Sequence, residues 1–251
     1  MEKINGLPKN KVLQKLKDDN DYYGEFGKTF LSNSNIYDLI HDPASYLKPS
    51  KESVAFLYGK AFHELMMFGD TKHNNFVDAS TRSTKIYKES IQSQQEEVLL
   101  LKKEYDEVVD LVNIGKNHKI IKPILNDKNA LFEEPNVSML TENNLLWKCK
   151  ADIVTDSAVY DIKTTSNIKS FKKSSFMYNY DSQAYIYSTM FQKEMVFLVF
   201  CKSTGVIGRF DVTPETYQSG MLKVKEAEQA YLDYFVLKTK KVKDHFIDGY
   251  I

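Results

Sequence analysis

The sequence predicts a mixed α/β (α+β) protein in which a central mixed β-sheet is flanked by helices. Three observations support this prediction: apolar residues follow helical spacing in the first half, apolar runs of strand length fill the second half, and a helical segment interrupts those runs. The 251 residues, 42% of them hydrophobic, suffice for one sizeable core. We therefore expect a single domain over residues 1–251, with a mostly helical part at 1–126 and the sheet with a final helix at 127–251.

The first half contains three predicted helices. A short one covers 36–40 and ends at Asp42-Pro43, where proline cannot continue the helix. A second takes Ser50 as its N-cap and extends to about Phe68. A third is predicted from about Tyr87 to Val112, because its apolar residues recur every three or four positions.

The second half contains five predicted strands, at 131–140, 145–154, 158–162, 195–201 and 206–212. A turn-prone stretch, 141–144, separates the first two, so the first three should be consecutive antiparallel strands. A helix at about 178–191 precedes the fourth strand. Thr213 as N-cap and Pro214 at the first helical position begin a last helix that reaches about Leu237.

Composition excludes several classes of protein. No apolar run approaches the roughly 20 residues that a membrane helix needs, and the N-terminus has no apolar stretch like that of a signal peptide. We therefore expect a cytoplasmic protein that does not enter a membrane. Cys149 and Cys201 lie in apolar strand segments, which predicts two buried thiols, and two cysteines are too few for a four-cysteine zinc or iron–sulfur site.

The formal net charge is zero, from 34 basic and 34 acidic residues, whereas proteins that bind nucleic acid mainly through phosphates usually carry a basic excess. The charges are nevertheless unevenly distributed, because acids concentrate at 89–110. Two acid-free lysine clusters occur elsewhere, Lys163, Lys169, Lys172 and Lys173 in one and Lys238, Lys240, Lys241 and Lys243 in the other. Each cluster is either a phosphate-binding surface or an ordinary solvated face.

Three polar residues stand out in the predicted strands. Asp152 lies near the end of one strand, and Asp161 and Lys163 lie near the end of the next, where they share a face because side chains alternate. Carboxylates among such apolar neighbours are costly unless a partner neutralises them, and a divalent cation would do so. Magnesium typically takes one or two carboxylates and leaves positions for water and substrate phosphate. By itself, however, an aspartate two residues before a lysine is usually a solvated strand edge.

Two further elements strengthen the case for a site. His63 lies within a predicted helix one turn after Gly59, whose missing side chain leaves room above the imidazole. Gln183 and Tyr187 are four apart on a later helix and so share one face. Taken singly, a helical histidine is usually a surface or core residue, and a Gln-Tyr pair identifies nothing.

In combination, the order Gly59-x-x-x-His63-Glu64, Asp152, Asp161-Ile162-Lys163 and Gln183 to Tyr187 resembles the PD-(D/E)XK nuclease superfamily in its RecB-like branch. Within that branch it looks most like RecE (exonuclease VIII)-type recombination exonucleases of phages. The resemblance covers roughly residues 34–200, including the opening SNIYDLIHDPASY, and implies a restriction-endonuclease-like core. Ala151 replaces the proline of the superfamily's name, and the cysteines of its iron–sulfur members are absent.

The resemblance implies a set of metal contacts. These are His63, Asp152, Asp161 and the backbone carbonyl of Ile162. The implied cofactor is Mg²⁺, and the histidine favours tolerance of Mn²⁺. Glu134, which precedes the first core strand's apolar run, is a candidate for a further acid, and Glu133 competes with it.

The resemblance also implies the roles of other residues. Lys163 would assist the attacking water or offset charge that develops on the phosphate. Gln183 and Tyr187 match the motif that steadies the active site and the DNA backbone. The lysine cluster adds DNA-binding candidates: Lys169, Lys172 and Lys173.

At the level of function, the resemblance implies a metal-dependent exonuclease that degrades linear double-stranded DNA, 5′ to 3′, in recombination or DNA processing. Relatives of this type form ring-shaped homo-oligomers around DNA and work with a single-strand annealing protein, in a bacterial or phage-infected cell. A ring would reconcile the net charge of zero with DNA binding, because lysines lining its channel can contact DNA while the outer surface stays acidic. Three alternatives remain: a sequence-specific endonuclease, a catalytically idle DNA-binding or inhibitor protein on the same fold, and a helical scaffold without a ligand.

Overall fold

The computed structural model describes residues 3–49, 51–71 and 76–246, and its elements follow the expected order of helices first and a sheet second. The strands are β1 (Lys3–Ile4), β2 (Leu7–Pro8), β3 (Phe76–Val77), β4 (Leu100–Leu101), β5 (Leu131–Met139), β6 (Leu146–Val154), β7 (Ala158–Thr165), β8 (Glu194–Cys201) and β9 (Ile207–Asp211). The α-helices are α1 (Lys9–Leu16), α2 (Asp19–Tyr23), α3 (Ile36–His41), α4 (Val54–Phe68), α5 (Lys85–Gln94), α6 (Lys102–Asn117), α7 (Ile121–Leu125), α8 (Phe171–Met177), α9 (Tyr180–Phe191) and α10 (Pro214–Tyr231).

A five-stranded sheet with the order β5-β6-β7-β8-β9 forms the centre of the molecule. The pairs β5/β6, β6/β7 and β8/β9 are antiparallel, and β7/β8 is parallel. The parallel pair requires a crossover, which α8 and α9 provide. The predicted mixed sheet flanked by helices is thereby confirmed, including the three consecutive antiparallel strands.

Helices cover the sheet on both faces. On one face α4 and α6 pack against β7 and β8, where the rings of Phe62 and Phe200 lie 4.8 Å apart. On the other face α3, α9 and α10 enclose a second core around the fully buried Trp147. A third, smaller core joins α1 to β5 through Val12, Leu16 and Val137. Apolar burial of this kind is the main driving force for the fold.

The ladder between β6 and β7 is short. It contains the pairs Ile153↔Tyr160 and Val154↔Val159, and the next pair in register would be Asp152 opposite Asp161. Beyond these pairs the Asp152 side chain, in place of a backbone carbonyl of β6, bonds to β7: its Oδ2 accepts the Ile162 backbone N–H at 2.6 Å. The strands consequently separate at these two aspartates.

Helix α4 begins later than the sequence suggested. Its N-cap is Ser53, whose hydroxyl accepts the Phe56 N–H at 3.1 Å, and Ser50 lies outside the described residues. The helix ends at Phe68, and the following residue, Gly69, has a φ of 78° and so takes the left-handed conformation that suits glycine. The predicted end near Phe68 is correct.

The single long helix predicted over 87–112 is wrong, because two helices and a short strand occupy this stretch. Helix α5 ends at Gln94 and is followed by Gln95 in a left-handed conformation (φ 56°). Strand β4 then pairs in parallel with β3 before α6 begins. The Tyr87 hydroxyl accepts the Leu99 N–H at 2.9 Å, which fixes the return of the chain. The helical spacing is coincidental only for Val98 and Leu101, which precede α6, whereas Tyr105, Val108 and Val112 do lie on that helix.

Other boundaries shift by smaller amounts. The helix predicted at 178–191 begins at Tyr180, after the separate α8 and a left-handed Asn179 (φ 56°). The final helix stays α-helical to Tyr231 and continues as a π-helical turn over Leu232–Val236. Helices α1 and α2 were not predicted.

Both cysteines are free and buried, as predicted. None of the helices in the described ranges is both long and apolar enough to cross a membrane.

Candidate metal centre and active site

Three side chains from three different elements converge where β6 and β7 separate. His63 of α4 places its Nε2 3.1 Å from Glu133 Oε1 of β5 and 3.1 Å from Asp152 Oδ1 of β6. One ligand atom from each of the three lies within 4.8 Å of the other two. All three are partly buried, which makes this arrangement a candidate cation site.

Glu133, and not Glu134, belongs to this cluster. The pairs Phe132↔Ile153 and Glu134↔Ala151 set the register, which puts Glu133 opposite Asp152. Side chains alternate along a strand, so Glu134 is directed away, and its Oε2 lies 2.9 Å from Lys17 Nζ. The sequence-based choice of Glu134 as the further acid is therefore corrected to Glu133, whose backbone has the uncommon φ of 50°.

Asp161 and Lys163 form an ion pair beside the cluster, with Asp161 Oδ2 2.7 Å from Lys163 Nζ. Gln183 donates its Nε2 hydrogen to Asp161 Oδ1 at 2.5 Å. Burial, opposed by the charge of Lys163 and reinforced by the carboxylate of Asp152, raises the pKa of Asp161 to about 6. Lys163 also lies over the ring of Tyr180, 4.8 Å from its centroid.

The electrostatics of the cluster reflect its concentration of carboxyl groups. Burial alone would lower the pKa of His63, but Asp152, Glu133 and Asp161 outweigh it and raise that pKa to about 9. Burial likewise opposes ionisation of Asp152, yet His63 and Lys163 bring its pKa below the ordinary value. The pKa of Lys163 is raised, since Asp161 and Asp152 outweigh the effect of burial. The carboxylates thus hold cationic partners close to them.

The unpartnered atoms of the site fit a divalent cation. Among the buried polar atoms without a hydrogen bond are His63 Nε2 and Asp161 Oδ2, so their short contacts have angles outside hydrogen-bonding range. Such atoms are costly unless another ligand satisfies them. Carboxylate oxygens with one imidazole nitrogen suit Mg²⁺ or Mn²⁺ chemistry. The residues present therefore fit the metal that the resemblance implies. Its candidate ligands, whose atoms lie close together, are His63, Glu133 and Asp152.

Gln183 and Tyr187 use their polar groups inside the protein. Gln183 holds Asp161, as described above, and the Tyr187 hydroxyl donates to the Lys150 carbonyl at 3.1 Å, two residues before Asp152. Both side chains are buried. They steady the strands that carry the two aspartates, which is one of the two roles that the resemblance implied for them.

The cluster opens into a cleft of about 1050 Å³. Gly59 and Ile162 line it together with the site residues, and a Cβ at Gly59 would have only Thr164 Oγ1 within 4 Å, at 3.8 Å. One side of the cleft is formed by residues in and beside α2, which were not predicted from the sequence: Asp19, Asn20, Tyr22, Tyr23 and Gly24. No motif pointed to these residues, because a tyrosine pair near a chain terminus carries no spacing signal.

The proposed DNA-binding lysines lie outside the lining of the cleft. Lys169, Lys172 and Lys173 are exposed, on the turn before α8 and on α8 itself. The structure therefore does not bring them into the cluster, although Phe171 of the same segment packs into the core.

Residues 39–241 match a family model described as a PDDEXK-like domain of unknown function (DUF3799). The chain belongs to this PDDEXK-like family. The match contains every residue of the metal cluster and both Asp161 and Lys163, while α1 and α2 precede it.

One solved structure shares the fold of this chain. A crystal structure of a Eubacterium rectale protein described as a "Putative exonuclease" is 13% identical, with a TM-score of 0.60, and the match covers 93% of this chain and 95% of that one. The structure of SSO0001 is 15% identical over 69% of this chain and 84% of that chain, with a TM-score of 0.34. No curated protein matches the chain. The PDDEXK-like family and the site together support a nuclease that uses a divalent metal.

Proposed function

We propose that this PDDEXK-like protein is a metal-dependent deoxyribonuclease that removes nucleotides from the ends of linear double-stranded DNA. The observation that carries the proposal is the meeting of His63, Glu133 and Asp152 in one cleft with the Asp161–Lys163 ion pair. A carboxylate-rich cation site beside a lysine suits hydrolysis of a phosphodiester, in which negative charge develops on the phosphate.

The residues have separable roles in this proposal. His63, Glu133 and Asp152 would hold the cation, with Asp161 beside them, and Mg²⁺ is the expected ion, with Mn²⁺ as a substitute. When bound, the cation supplies polarisation of the phosphodiester and a lowered pKa for a coordinated water. Lys163 places a positive charge next to the reacting phosphate. The Ile162 N–H and the Gln183 amide fix the orientation of the two aspartates before substrate binds.

The finer parts of the proposal rest on resemblance. The order of motifs is similar to that of RecE-type exonucleases, and the Eubacterium rectale protein with the shared fold is described as a "Putative exonuclease". These similarities favour end-dependent cleavage, 5′ to 3′, in DNA recombination or processing. The similarity to RecE-type exonucleases alone implies a ring-shaped homo-oligomer around duplex DNA, a single-strand annealing protein as partner, and a cytoplasmic location in a bacterial or phage-infected cell.

The test is digestion of linear duplex DNA labelled at the 5′ or the 3′ end, beside closed circular DNA, in the presence of Mg²⁺. The key variant is Lys163→Ala, and the matched control is Lys119→Ala, an exposed lysine outside the cleft lining. We expect mononucleotides from linear DNA only, with early loss of the 5′ label. Lys163→Ala should lower the rate by about 10²–10³, as loss of one charge-stabilising donor typically does.

Each other outcome removes a defined part of the proposal. Nicking of closed circles would indicate the endonuclease, and early loss of the 3′ label would reverse the polarity. Absence of metal-dependent cleavage of either substrate would leave the idle DNA-binding protein. Equal activity of Lys163→Ala and Lys119→Ala would show that the site is assigned wrongly.

A further inference from the structure

Exposed aromatic side chains line the same cleft as the metal cluster. Tyr23 is 70% exposed, Phe56 is 56% exposed and Phe68 is 52% exposed, although rings of this size usually bury much of their surface. Tyr23 comes from α2, whereas the two phenylalanines come from α4. Aromatic rings therefore reach the cleft from two different elements.

Helix α4 arranges its contribution as a stripe. Phe56, Gly59 and His63 are separated by three and four residues, so they share one face of the helix. Phe56 and His63 are about 10 Å apart along the helix axis. Between them, Gly59 leaves the surface open, since a Cβ there would approach only Thr164 Oγ1. A flat group could lie against Phe56 while an attached anionic group reaches the metal cluster.

Helix α2 is held against the sheet by two buried lysines. The ring of Tyr22 lies 4.0 Å from Lys148 Nζ and 4.5 Å from Lys150 Nζ. Lys150 also lies 2.8 Å from Asp19 Oδ1, and Lys148 donates a hydrogen bond to the Tyr22 carbonyl. These contacts fix the backbone beside Tyr23 while its own ring stays exposed.

We propose that this cleft binds unpaired nucleotides, with their bases stacked on Tyr23 and Phe56 and a phosphate at the metal cluster. The inference rests on the proposed function and specifies its substrate: a single-stranded or frayed DNA end. Bases inside a duplex already stack on one another, so only unpaired nucleotides offer both faces to protein rings. Stacking on aromatic side chains is the usual way in which proteins bind single strands without sequence preference.

Chemistry favours a nucleotide over an apolar peptide as the occupant. Glu133, Asp152 and Asp161 line the cleft, and with His63 the first two form the candidate cation site. A cation bound there would take further oxygen ligands, such as those of phosphate. The sides of the cleft carry exposed aromatic rings, on which a flat group such as a base can stack. A nucleotide combines both groups in one ligand, and an apolar peptide lacks the anionic one.

The test measures binding of a fluorescein-labelled twelve-nucleotide oligothymidylate and of a blunt hairpin duplex, with Ca²⁺ replacing Mg²⁺ so that the DNA stays intact. We expect Tyr23→Ala and Phe56→Ala each to weaken single-strand binding at least about fivefold, the lower end of one base stack. Binding of the blunt duplex should change less than about twofold. Both substituted rings are exposed, so folding should be unaffected.

Two matched controls use exposed rings outside the cleft lining, Tyr37→Ala and Phe246→Ala, which are 56% and 81% exposed in the native chain. Both should bind oligothymidylate as the unsubstituted protein does. A second readout uses Tyr23→Trp, whose fluorescence should be quenched when a base stacks on it. The native Trp147 is fully buried, so it should not respond.

The outcomes separate this inference from the proposed function. If linear DNA is degraded but Tyr23→Ala and Phe56→Ala bind oligothymidylate normally, the stacking site is refuted and the nuclease stands. If no DNA is cleaved yet both variants lose single-strand binding, the stacking site stands and the proposed nuclease falls.

Discussion

At the start of β5, two neighbouring glutamates face opposite sides of the strand. Glu133 reaches His63, and Glu134 reaches Lys17. They have the same chemistry and adjacent positions, so they form a matched pair for testing the metal cluster.

We predict that Glu133→Gln weakens Mn²⁺ binding at least about tenfold, because even residues that only support a metal ligand typically contribute that much. Glu134→Gln should leave Mn²⁺ affinity unchanged. Isothermal titration calorimetry with Mn²⁺ measures both. Equal affinities for the two variants would remove Glu133 from the site.

Lys148 is a buried amine whose charge is disfavoured in the folded protein. Burial first, and then the charge of Lys150, lower its pKa from 10.5 to about 8. In the unfolded chain the amine keeps its ordinary pKa. The unfolded state therefore binds more protons than the folded state between about pH 8 and pH 10.5, and stability rises with pH across this window.

A comparison with Lys148→Met isolates this effect, because the variant lacks the titrating amine. We predict that the native protein gains about 2 kcal/mol of unfolding free energy relative to the variant between pH 7 and pH 10. Urea unfolding at the two pH values measures the difference. A difference that stays constant with pH would mean that Lys148 has an ordinary pKa in the folded state.

At the scale of elements, one buried carboxylate joins helix α10 to the β5–β6 turn. Glu228 is fully buried, and it accepts hydrogen bonds from Trp147 Nε1 at 2.7 Å, from Asn143 Nδ2 at 2.9 Å and from the Thr141 hydroxyl. These donors lie on the hairpin, whereas the acceptor lies on the last helix. The carboxylate therefore fixes how α10 sits on the sheet.

We predict that Glu228→Ala lowers the unfolding free energy by about 3 kcal/mol, or roughly 6–12 °C in Tm, because it leaves buried donors unsatisfied. Glu226→Ala, an exposed position on the same helix, should change stability by less than about 0.5 kcal/mol. Thermal unfolding followed by circular dichroism compares them. Similar Tm values for the two variants would show that the buried network contributes little.

Elements with a strong periodic pattern could be predicted from the sequence. The five strands of the central sheet were all predicted within three residues of their observed ends, because alternation and apolar runs depend on local packing. The stretch 87–112 was not, since Leu99 and Leu101 pack against Val77 and Tyr87, and Leu100 packs into the core beside α4 and α6. Nothing in the local spacing distinguishes a helical face from such a partner.

In the candidate site, too, some positions could be predicted from local sequence pattern and others depend on long-range packing. Strand alternation predicted that Asp161 and Lys163 share a face, and the expected antiparallel pairing predicted that Asp152 lies near them. The structure pairs Asp161 with Lys163. Choosing between Glu133 and Glu134 required the register of β5 against β6, which the sequence does not contain. Tyr23 required the position of α2, which is fixed by long-range contacts with Lys148 and Lys150.

At the scale of the whole molecule, the net charge is zero, so any electrostatic attraction of DNA depends on where the positive charges lie on the surface. In the first cluster Lys163 is part-buried in the cleft, and Lys169, Lys172 and Lys173 are exposed around α8. The second cluster is exposed and lies after α10. Only the first follows directly from β7, the strand that carries Asp161 and Lys163. A duplex whose end enters the cleft is therefore expected to meet the first cluster.

We predict that replacing Lys169, Lys172 and Lys173 together by alanine weakens duplex binding at all sequences alike. Each lysine that contacts a phosphate releases about one counterion, so the slope of log binding constant against log salt should become shallower by about three. The matched variant replaces Lys238, Lys241 and Lys243 by alanine and should keep the native slope. Fluorescence anisotropy with a blunt duplex from about 50 to 200 mM salt measures both slopes.

If the second variant changes the slope and the first does not, DNA follows the C-terminal surface instead. If neither does, the protein binds duplex without either cluster, and the cleft itself must supply the phosphate contacts.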